Sequence, residues 1–211
     1  MPQKVWQILP PPPIELSQSL PLTAFQTTLL YHRGAVTHSD IKAYLSVDSS
    51  LSTDPLILPD MEKAVARIKQ AVAHRETVGI FGDFDVDGIT ATAILVLALR
   101  NIGLTVIPYL PDRKNEGHGL NSEAVGVLRA QGVTLMITAD CGTNSSIEID
   151  LGSSLGMDTI VTDHHTVQES FAGAVAVINP QREDSQVHDS MLTGAGLAYK
   201  LIEALYSFLG K

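Results

Sequence analysis

From Thr77 onward the chain alternates short apolar runs with segments of helical periodicity, and this alternation restricts its possible folds more than any other feature. Each helical segment is followed by a glycine, namely Gly103, Gly132 or Gly156, as is common where a helix ends. Alternating strands and helices predict an α/β fold with a mostly parallel sheet flanked by helices. The predicted strands cover residues 77–82, 105–110, 134–139, 159–162 and 174–178, and the predicted helices between them cover about 89–102, 121–131 and 144–155.

The first 59 residues differ in pattern from the rest and are predicted to form an N-terminal extension with short helices. They hold a proline run at 10–13, helical patterns at about 23–31 and 38–45, and a Ser/Asp-rich stretch, "SVDSSLSTDP". A longer amphipathic segment begins after Asp60, which we predict to be its N-cap. We therefore predict two parts, the extension at 1–59 and a main domain at 60–211.

The composition is typical of a soluble α/β protein. Of the 211 residues, 45% are hydrophobic and 18% are charged, and no apolar run approaches the roughly 20 residues of a membrane-spanning helix, so we expect no membrane association. The single cysteine, Cys141, excludes an internal disulfide bond and agrees with a cytoplasmic location; we expect it to be buried. The net charge of −9 argues against an overall basic surface, although carboxylates that hold cations also count as negative.

Acidic and imidazole side chains follow three of the five predicted strands, where each strand ends. The carboxyl ends of parallel strands meet at one edge of a sheet, so we expect these side chains to converge there. Crowded carboxylates repel one another, and divalent cations remove that repulsion. Mn²⁺, Mg²⁺, Fe²⁺ and Zn²⁺ all accept such ligands, and the absence of thiolate favours the harder ions. The residues are Asp83, Asp85 and Asp87 after the first strand, Asp140 after the third, and Asp163, His164 and His165 after the fourth.

Two other interpretations of the stretch "GDFDVDGIT" start from its aspartates alone. An EF-hand calcium loop needs a glutamate at the twelfth position, where this chain has Ile94, and a helix before it. The stretch also resembles the nucleophile loop of haloacid-dehalogenase-type phosphatases, which would place an aspartyl phosphate on Asp85 and an acid/base role on Asp87. Against that, Ile89 stands at the usual threonine position and the histidine pair has no role.

Four ordered motifs and their flanking segments resemble the DHH phosphoesterase superfamily, and within it the RecJ-type single-strand-specific exonucleases. The motifs are "GDFDVDGITAT", "PDRKNEGHGLN", "TADCGT" and "VTDHH". The segments "DPLILPDMEKAVARI", "INPQR" and "LTGAGLAYKL" resemble the same relatives, so the similarity runs from about residue 20 to the C-terminus. Phe81 occupies a position where many other DHH phosphatases and small-oligonucleotide phosphodiesterases have histidine, which favours the RecJ branch.

The resemblance implies a role for each residue at the strand ends. It implies one or two Mn²⁺ or Mg²⁺ ions, bridged by Asp140, with His165 in contact with the scissile phosphate. Asp83 would be a further ligand or would accept a hydrogen bond beside one, and Asp163 would orient a ligand histidine. The implied metal ligands are Asp85, Asp87, Asp140 and His164.

The second motif implies a loop that binds substrate. Arg113 and the turn Gly117–His118–Gly119 would face the substrate phosphate, although His118 stands where the family usually has tyrosine. Lys114 and Arg182 are further candidates to pair with phosphate oxygens.

The activity implied by the resemblance is hydrolysis of single-stranded DNA in the 5′→3′ direction with release of mononucleotides, in DNA repair and recombination. Single-strand-binding proteins or helicases would be partners. One alternative is a DHH phosphodiesterase acting on short oligonucleotides or cyclic dinucleotides, and another is an interaction module without catalysis. The family takes a further metal-binding aspartate from a later strand, so we expect a C-terminally truncated domain with weak metal affinity and little or no activity by itself.

Overall fold

A computed structural model describes residues 8–18, 21–46, 54–168, 173–187 and 192–210. Most of the Ser/Asp-rich stretch lies outside these residues. The chain divides into two compact units, Met1–Thr53 and Asp54–Lys211, and each is described by itself. The domain boundary after residue 59 stays a prediction.

The smaller unit contains three short helices. They are α1 (Ile14–Gln18), α2 (Ala24–Tyr31) and α3 (His38–Leu45). Each of the last two begins with a capping box: the hydroxyl oxygens of Thr23 and Thr37 accept a backbone N–H from the first turn, and the side chains of Gln26 and Asp40 accept the N–H of the cap residue. Both helical patterns predicted in this region are therefore confirmed.

The larger unit is an α/β fold built on a five-stranded sheet, which confirms the predicted fold class. Its elements are a 3₁₀ turn (Pro55–Ile57), α4 (Met61–His74), β1 (Thr77–Gly82), α5 (Val86–Asn101), β2 (Thr105–Tyr109), α6 (Ser122–Ala130), β3 (Val133–Ala139), α7 (Ser146–Ser154), β4 (Asp158–Thr162), β5 (Ala176–Ile178) and α8 (Gly194–Phe208). The strand order is β2-β1-β3-β4-β5, and every pairing is parallel. The chain thus reverses its direction of winding between β1 and β3, which opens a crevice at their carboxyl ends.

Both faces of the sheet are covered, because successive side chains of a strand point to opposite faces. Ile80 of β1 packs in a core shared with α4, α5 and α8, whereas Phe81 packs in a second core with α6 and α7. Burial on both faces explains why the strands read as continuous apolar runs. Among the described residues, the helices are all too short or too polar to cross a membrane.

The predicted glycines lie just after the ends of the helices. Gly103, Gly132 and Gly156 have φ values of 92°, 83° and 75°, in the left-handed region where glycine lacks the steric penalty of other residues. Helix α5 begins at Val86, earlier than predicted, because the side chain of Asp85 accepts backbone N–H groups and caps it there.

Asp60 occupies the N-cap position of α4 as predicted, but its side chain does not cap the helix. Its φ is 54° and its side chain makes no capping hydrogen bond. Instead, its carboxylate pairs with Lys63 Nζ at 2.6 Å and Arg182 Nη1 at 2.5 Å, and accepts the N–H of Val177. Burial would raise the pKa of Asp60, but the hydrogen bonds from Lys63 and Arg182 outweigh it and lower the pKa.

Arg182 is consequently committed to structural contacts. Its guanidinium also pairs with Asp184 at 2.6 Å and donates to the carbonyl of Val177. These bonds fasten the chain after β5 to the start of α4 and do not favour the phosphate contact predicted for Arg182.

Candidate metal centre

The acids and histidines predicted from the strand ends meet at the carboxyl edge of the sheet. Asp83 follows β1, Asp140 follows β3 and the Asp163–His165 segment follows β4, and these three strands are neighbours. Two groups of side chains each offer three ligand atoms within 4.8 Å of one another. The groups are Asp83, Asp85 and Asp140, and Asp140, His164 and His165. Asp140 belongs to both, which is the geometry needed for a carboxylate shared between two ions.

Asp140 is deeply buried, with 2% of its side chain exposed. Its backbone has a φ of 65°, unusual for a residue other than glycine, and its N–H donates to the carbonyl of Thr162. Its Oδ1 is buried without a hydrogen bond; His164 Nε2 lies 3.0 Å away but not in hydrogen-bonding geometry. Burial, followed by the charges of Asp87 and Asp85, raises the pKa of Asp140 to about 7. A cation at this oxygen would relieve both costs.

Asp163 organises the histidine pair. One oxygen, Oδ1, accepts the backbone N–H of His164 and contacts Nδ1 of His165 at 2.7 Å, and the other accepts the N–H of Thr143 at 2.9 Å. The hydrogen bond that His165 donates to Asp163 raises the pKa of His165 to about 9. Burial acts to raise the pKa of Asp163, but the hydrogen bonds from His165 and Thr143 lower it overall. The histidine that Asp163 orients is thus His165, and its Nε2 is the ring nitrogen left for other partners.

Asp85 has two structural tasks at the start of α5. Its Oδ1 accepts the N–H of Asp87 at 2.9 Å and of Gly88 at 3.0 Å, while the residue also belongs to one ligand group. A Cβ on Gly88 would lie 2.4 Å from the carbonyl oxygen of Asp83, so only glycine fits this close turn. A strand rather than a helix precedes the aspartates, which excludes the EF-hand arrangement.

Asp87 lies beside the cluster and faces α8. Its Oδ2 accepts the N–H of Gly194 at 2.7 Å and its Oδ1 accepts the N–H of Ala195 at 2.8 Å. Its Oδ2 is also 3.6 Å from His164 Nε2. Burial alone would raise the pKa of Asp87, but the N–H groups of Ala195 and Gly194 lower it overall. Asp87 is outside both ligand groups found among the described residues, and its predicted role as a metal ligand stays a prediction.

The second motif forms a loop over the first. His118 packs at 4.5 Å from the Phe84 ring, and its Nδ1 is 3.9 Å from Asp83 Oδ2. The Arg113 guanidinium lies over the same ring at 5.3 Å. Gly117 and Gly119 on either side of His118 have φ values of 78° and 79°. The predicted substrate-binding residues therefore gather at Phe84, whose importance the sequence pattern did not indicate.

This loop is held by Glu116. Its carboxylate accepts the hydroxyl of Tyr109 at 2.7 Å and the N–H of Asp112 at 2.8 Å. The hydrogen bond with Glu116 raises the pKa of Tyr109 to about 12, so the phenol stays protonated as a donor. Below the loop, a cleft of about 300 Å³ is lined by residues of the first, second, third and fourth motifs, including Asp83, His118, Asp140 and His165.

One residue that sequence reasoning did not single out, Asn179, supports the cluster through hydrogen bonds. Asn179 is fully buried, and its Nδ2 donates to Thr143 Oγ1 at 2.8 Å and to the carbonyl of His165 at 2.9 Å. Asn179 belongs to the "INPQR" segment, so the only sequence signal was that flanking resemblance. Cys141 is buried as predicted; burial raises the pKa of its thiol, which argues against a thiolate ligand.

The larger unit is thus an all-parallel α/β domain with carboxylates and imidazoles gathered at the carboxyl ends of β1, β3 and β4. A family model described as "DHH family, N-terminal domain" matches residues 77–210, and the chain belongs to that family. This assignment excludes the haloacid-dehalogenase interpretation.

Particular relatives are bacterial single-stranded-DNA-specific exonucleases. The chain is 40% identical over 153 residues to RecJ of Escherichia coli (strain K12), covering 72% of this chain and 26% of that protein. It superposes on RecJ of Thermus thermophilus in complex with Mn²⁺ with a TM-score of 0.70 and 28% identity, over 97% of this chain and 29% of that one. For the Mg²⁺ complex the TM-score is 0.57, at 27% identity, over 97% and 25%. The chain spans about a quarter of the length of the curated relatives it matches.

The donor set fits the ions of those relatives. Carboxylate and imidazole ligands without thiolate suit Mn²⁺ and Mg²⁺, and the unpartnered buried oxygen of Asp140 needs a cation or a proton. The ions in those RecJ structures, Mn²⁺ and Mg²⁺, are the ones predicted for this chain.

Proposed function

We propose that this chain is the metal-binding catalytic domain of a RecJ-type exonuclease, which hydrolyses phosphodiester bonds of single-stranded DNA from the 5′ end and releases mononucleotides. The observation that supports this most strongly is the sharing of Asp140 by two ligand groups at the ends of β1, β3 and β4. Paired ions bridged in this way are a common arrangement for displacement at phosphorus. The similarity to RecJ proteins of 30–40% identity supports the choice of substrate.

Bound Mn²⁺ or Mg²⁺ supplies an activated water and charge stabilisation at the phosphate. The chain's own residues would then have distinct tasks. Asp83, Asp85 and His164 would hold ions on the two sides of Asp140, and Asp87 would be a further ligand. Asp163 holds the His165 ring through Nδ1, and a pKa near 9 keeps that imidazole protonated at neutral pH. Its Nε2–H would donate a charge-assisted hydrogen bond to a phosphate oxygen.

The charge of the cleft makes substrate binding depend on metal. The carboxylates of Asp83, Asp85 and Asp140 lie together at the cleft. They would repel an anionic DNA backbone until ions are bound. Arg113, held over Phe84, is the nearest candidate to supply positive charge at the rim of the cleft.

A test uses single-stranded oligonucleotides labelled at the 5′ or the 3′ end, with the chain in excess over DNA. We expect slow Mn²⁺-dependent release of the 5′ label as mononucleotide, and no release with EDTA or by Asp140→Ala. Glu62→Ala, which removes an exposed carboxylate of α4, should cleave like the parent chain. Equal cleavage by Asp140→Ala would contradict the site, and release of the 3′ label before the 5′ label would contradict the proposed direction.

The same assay separates substrate classes. A phosphodiesterase specific for short oligonucleotides or cyclic dinucleotides would hydrolyse a dinucleotide faster than a 30-nucleotide strand, the reverse of the order that we expect. The proposed activity would place the chain in DNA repair and recombination in the cytoplasm, with single-strand-binding proteins or helicases as partners.

A further inference from the structure

The first turn of α8 lies against the metal centre. The first N–H groups of a helix have no partner within the helix. Here Thr193 Oγ1 accepts the N–H of Gly196 at 3.2 Å, and the N–H groups of Gly194 and Ala195 are both accepted by the carboxylate of Asp87. A carboxylate at this end also has a favourable interaction with the helix dipole. Asp87 therefore joins the start of α5 to the start of α8.

Gly194 brings the same turn against Asp140. A Cβ on Gly194 would lie 2.5 Å from Asp140 Cβ and 2.6 Å from Asp140 Oδ1, distances that real Cβ atoms essentially never show. The second of these atoms is the buried oxygen that lacks a hydrogen bond. Any residue larger than glycine must therefore displace either α8 or the acid that the two ligand groups share.

The packing of α8 on the sheet does not depend on the close contact between Gly194 and Asp140. Leu197, Leu201 and Leu205 are fully buried and attach the helix to the sheet along its length. Gly196, two residues on, is less crowded: a Cβ there would meet the flexible side chain of Leu192 at 3.2 Å. The close contact is thus confined to the residue that touches Asp140.

We propose that the turn Gly194–Ala195 is a positioning element of the metal centre. Its N–H groups fix Asp87, and the missing side chain of Gly194 leaves Asp140 in the position where both ligand groups can use it. Docking of this turn and binding of metal are then coupled, and such coupling acts equally in both directions. The inference rests on the proposed metal centre but not on the choice of DNA as substrate.

The first experiment measures Mn²⁺ affinity by calorimetry for Gly194→Ala and its matched control Gly196→Ala. We expect the dissociation constant of Gly194→Ala to rise about tenfold or more, as for loss of other groups that orient metal ligands. Gly196→Ala should bind like the parent chain. Circular dichroism in EDTA at the same temperature establishes that both variants are folded, so a change in affinity is separated from a loss of structure.

The second experiment follows amide hydrogen exchange at Gly194 and Ala195 by NMR. In EDTA, Asp87→Asn should speed exchange of these two amides by roughly tenfold or more, the factor for loss of one hydrogen bond to a charged group, while Asp150→Asn at an exposed site of α7 should not. In the parent chain, diamagnetic Mg²⁺ should slow the same exchange. If Gly194→Ala does not fold, these exchange rates by themselves test whether the turn Gly194–Ala195 positions the metal centre.

The outcomes distinguish the two proposals. A parent chain that fails to bind Mn²⁺ would overturn the metal centre and this inference together. A parent chain that binds Mn²⁺, with Gly194→Ala equally tight or with exchange unchanged in Asp87→Asn, would overturn the role of α8 alone.

Discussion

The two edges of the sheet treat carboxylates in different ways. At the amino edge one arginine pairs with two acids: Arg67 lies 2.7 Å from Glu76 and 2.6 Å from Asp158, whose side chains are 14% and 51% exposed. At the carboxyl edge Asp140 is more enclosed, with 2% of its side chain exposed, and among the described residues its only ion-pair contact is with His164. The amino edge therefore receives a cation from the protein, whereas the carboxyl edge holds an acid whose charge a metal ion can neutralise.

The pKa values follow the same division. Burial would raise the pKa of Glu76, but hydrogen bonds from Arg67 and Thr134 outweigh it, and the pKa is lowered. At Asp140 burial and neighbouring acids act together and raise the pKa to about 7. Among the described residues, Glu76 thus pairs with an arginine, whereas Asp140 pairs with neither an arginine nor a lysine.

The largest expected effect comes from removing the arginine at the amino edge. Arg67→Ala would leave the partly buried carboxylate of Glu76 with the Thr134 hydroxyl but without its cation, and we expect a loss of about 3 kcal/mol in the free energy of unfolding by urea. Mn²⁺ affinity should change little. Lys114→Ala, which removes the same formal charge from an exposed loop, should stay within about 0.5 kcal/mol of the parent. A small loss in Arg67→Ala would mean that the two edges do not differ in this way.

At the carboxyl edge, removal of a charge should instead stabilise the metal-free protein. Asp140→Asn at pH 8 in EDTA should gain on the order of 2 kcal/mol, because each pKa unit corresponds to about 1.4 kcal/mol and the buried amide offsets part of the gain. The variant should also lose the thermal stabilisation that Mn²⁺ confers on the parent chain. Thermal unfolding with and without Mn²⁺ measures both, and a metal-free variant less stable than the parent would contradict the prediction.

The pH dependence of stability should also differ between the edges. The pKa of Asp140 is raised from 3.8 to about 7, so its contribution is lost as pH rises across that window. The pKa of His165 is raised from 6.5 to about 9, so its contribution is complete below 6.5 and is lost as pH rises through 9. Glu76 has a lowered pKa and loses its contribution as pH falls below about 4.5.

Urea unfolding in EDTA should therefore show stability falling from pH 6 to pH 9, with a shallower fall in His165→Gln. Saturating Mn²⁺ should flatten the profile. If the free energy of unfolding in EDTA instead rises from pH 6 to pH 9, the carboxyl edge does not hold Asp140 in the unfavourable charged state that we infer.

The smallest effect should come from the rim of the cleft. Phe84→Leu removes the ring beneath Arg113 and beside His118, and cation–π contacts at exposed sites contribute about 0.5–1 kcal/mol. We expect binding of single-stranded DNA to weaken by that amount while Mn²⁺ affinity is unchanged. Fluorescence anisotropy measures the binding of single-stranded DNA, and calorimetry on the same sample measures Mn²⁺ affinity. The control is Phe25→Leu in the N-terminal unit.

Much of this site could be predicted from the chain alone. Short apolar runs between helical segments indicated the strands. Parallel strands bring their carboxyl ends to one edge of the sheet whatever their exact packing, so Asp83, Asp140 and His164 were expected to meet. The closing glycines indicated the ends of the helices. Buried strands and left-handed turns impose strong local demands on residue type, which is why these features are legible in sequence.

The partners of each carboxylate were decided by the tertiary structure. Asp87 accepts backbone N–H groups from Gly194 and Ala195, and Asp60 pairs with Arg182 instead of capping α4. Backbone donors carry no side-chain signature, and ion pairs between distant residues leave no periodicity in the sequence. The sequence by itself determined which groups reach the carboxyl edge; only the folded chain decided which oxygen is already occupied and which remains for a metal ion.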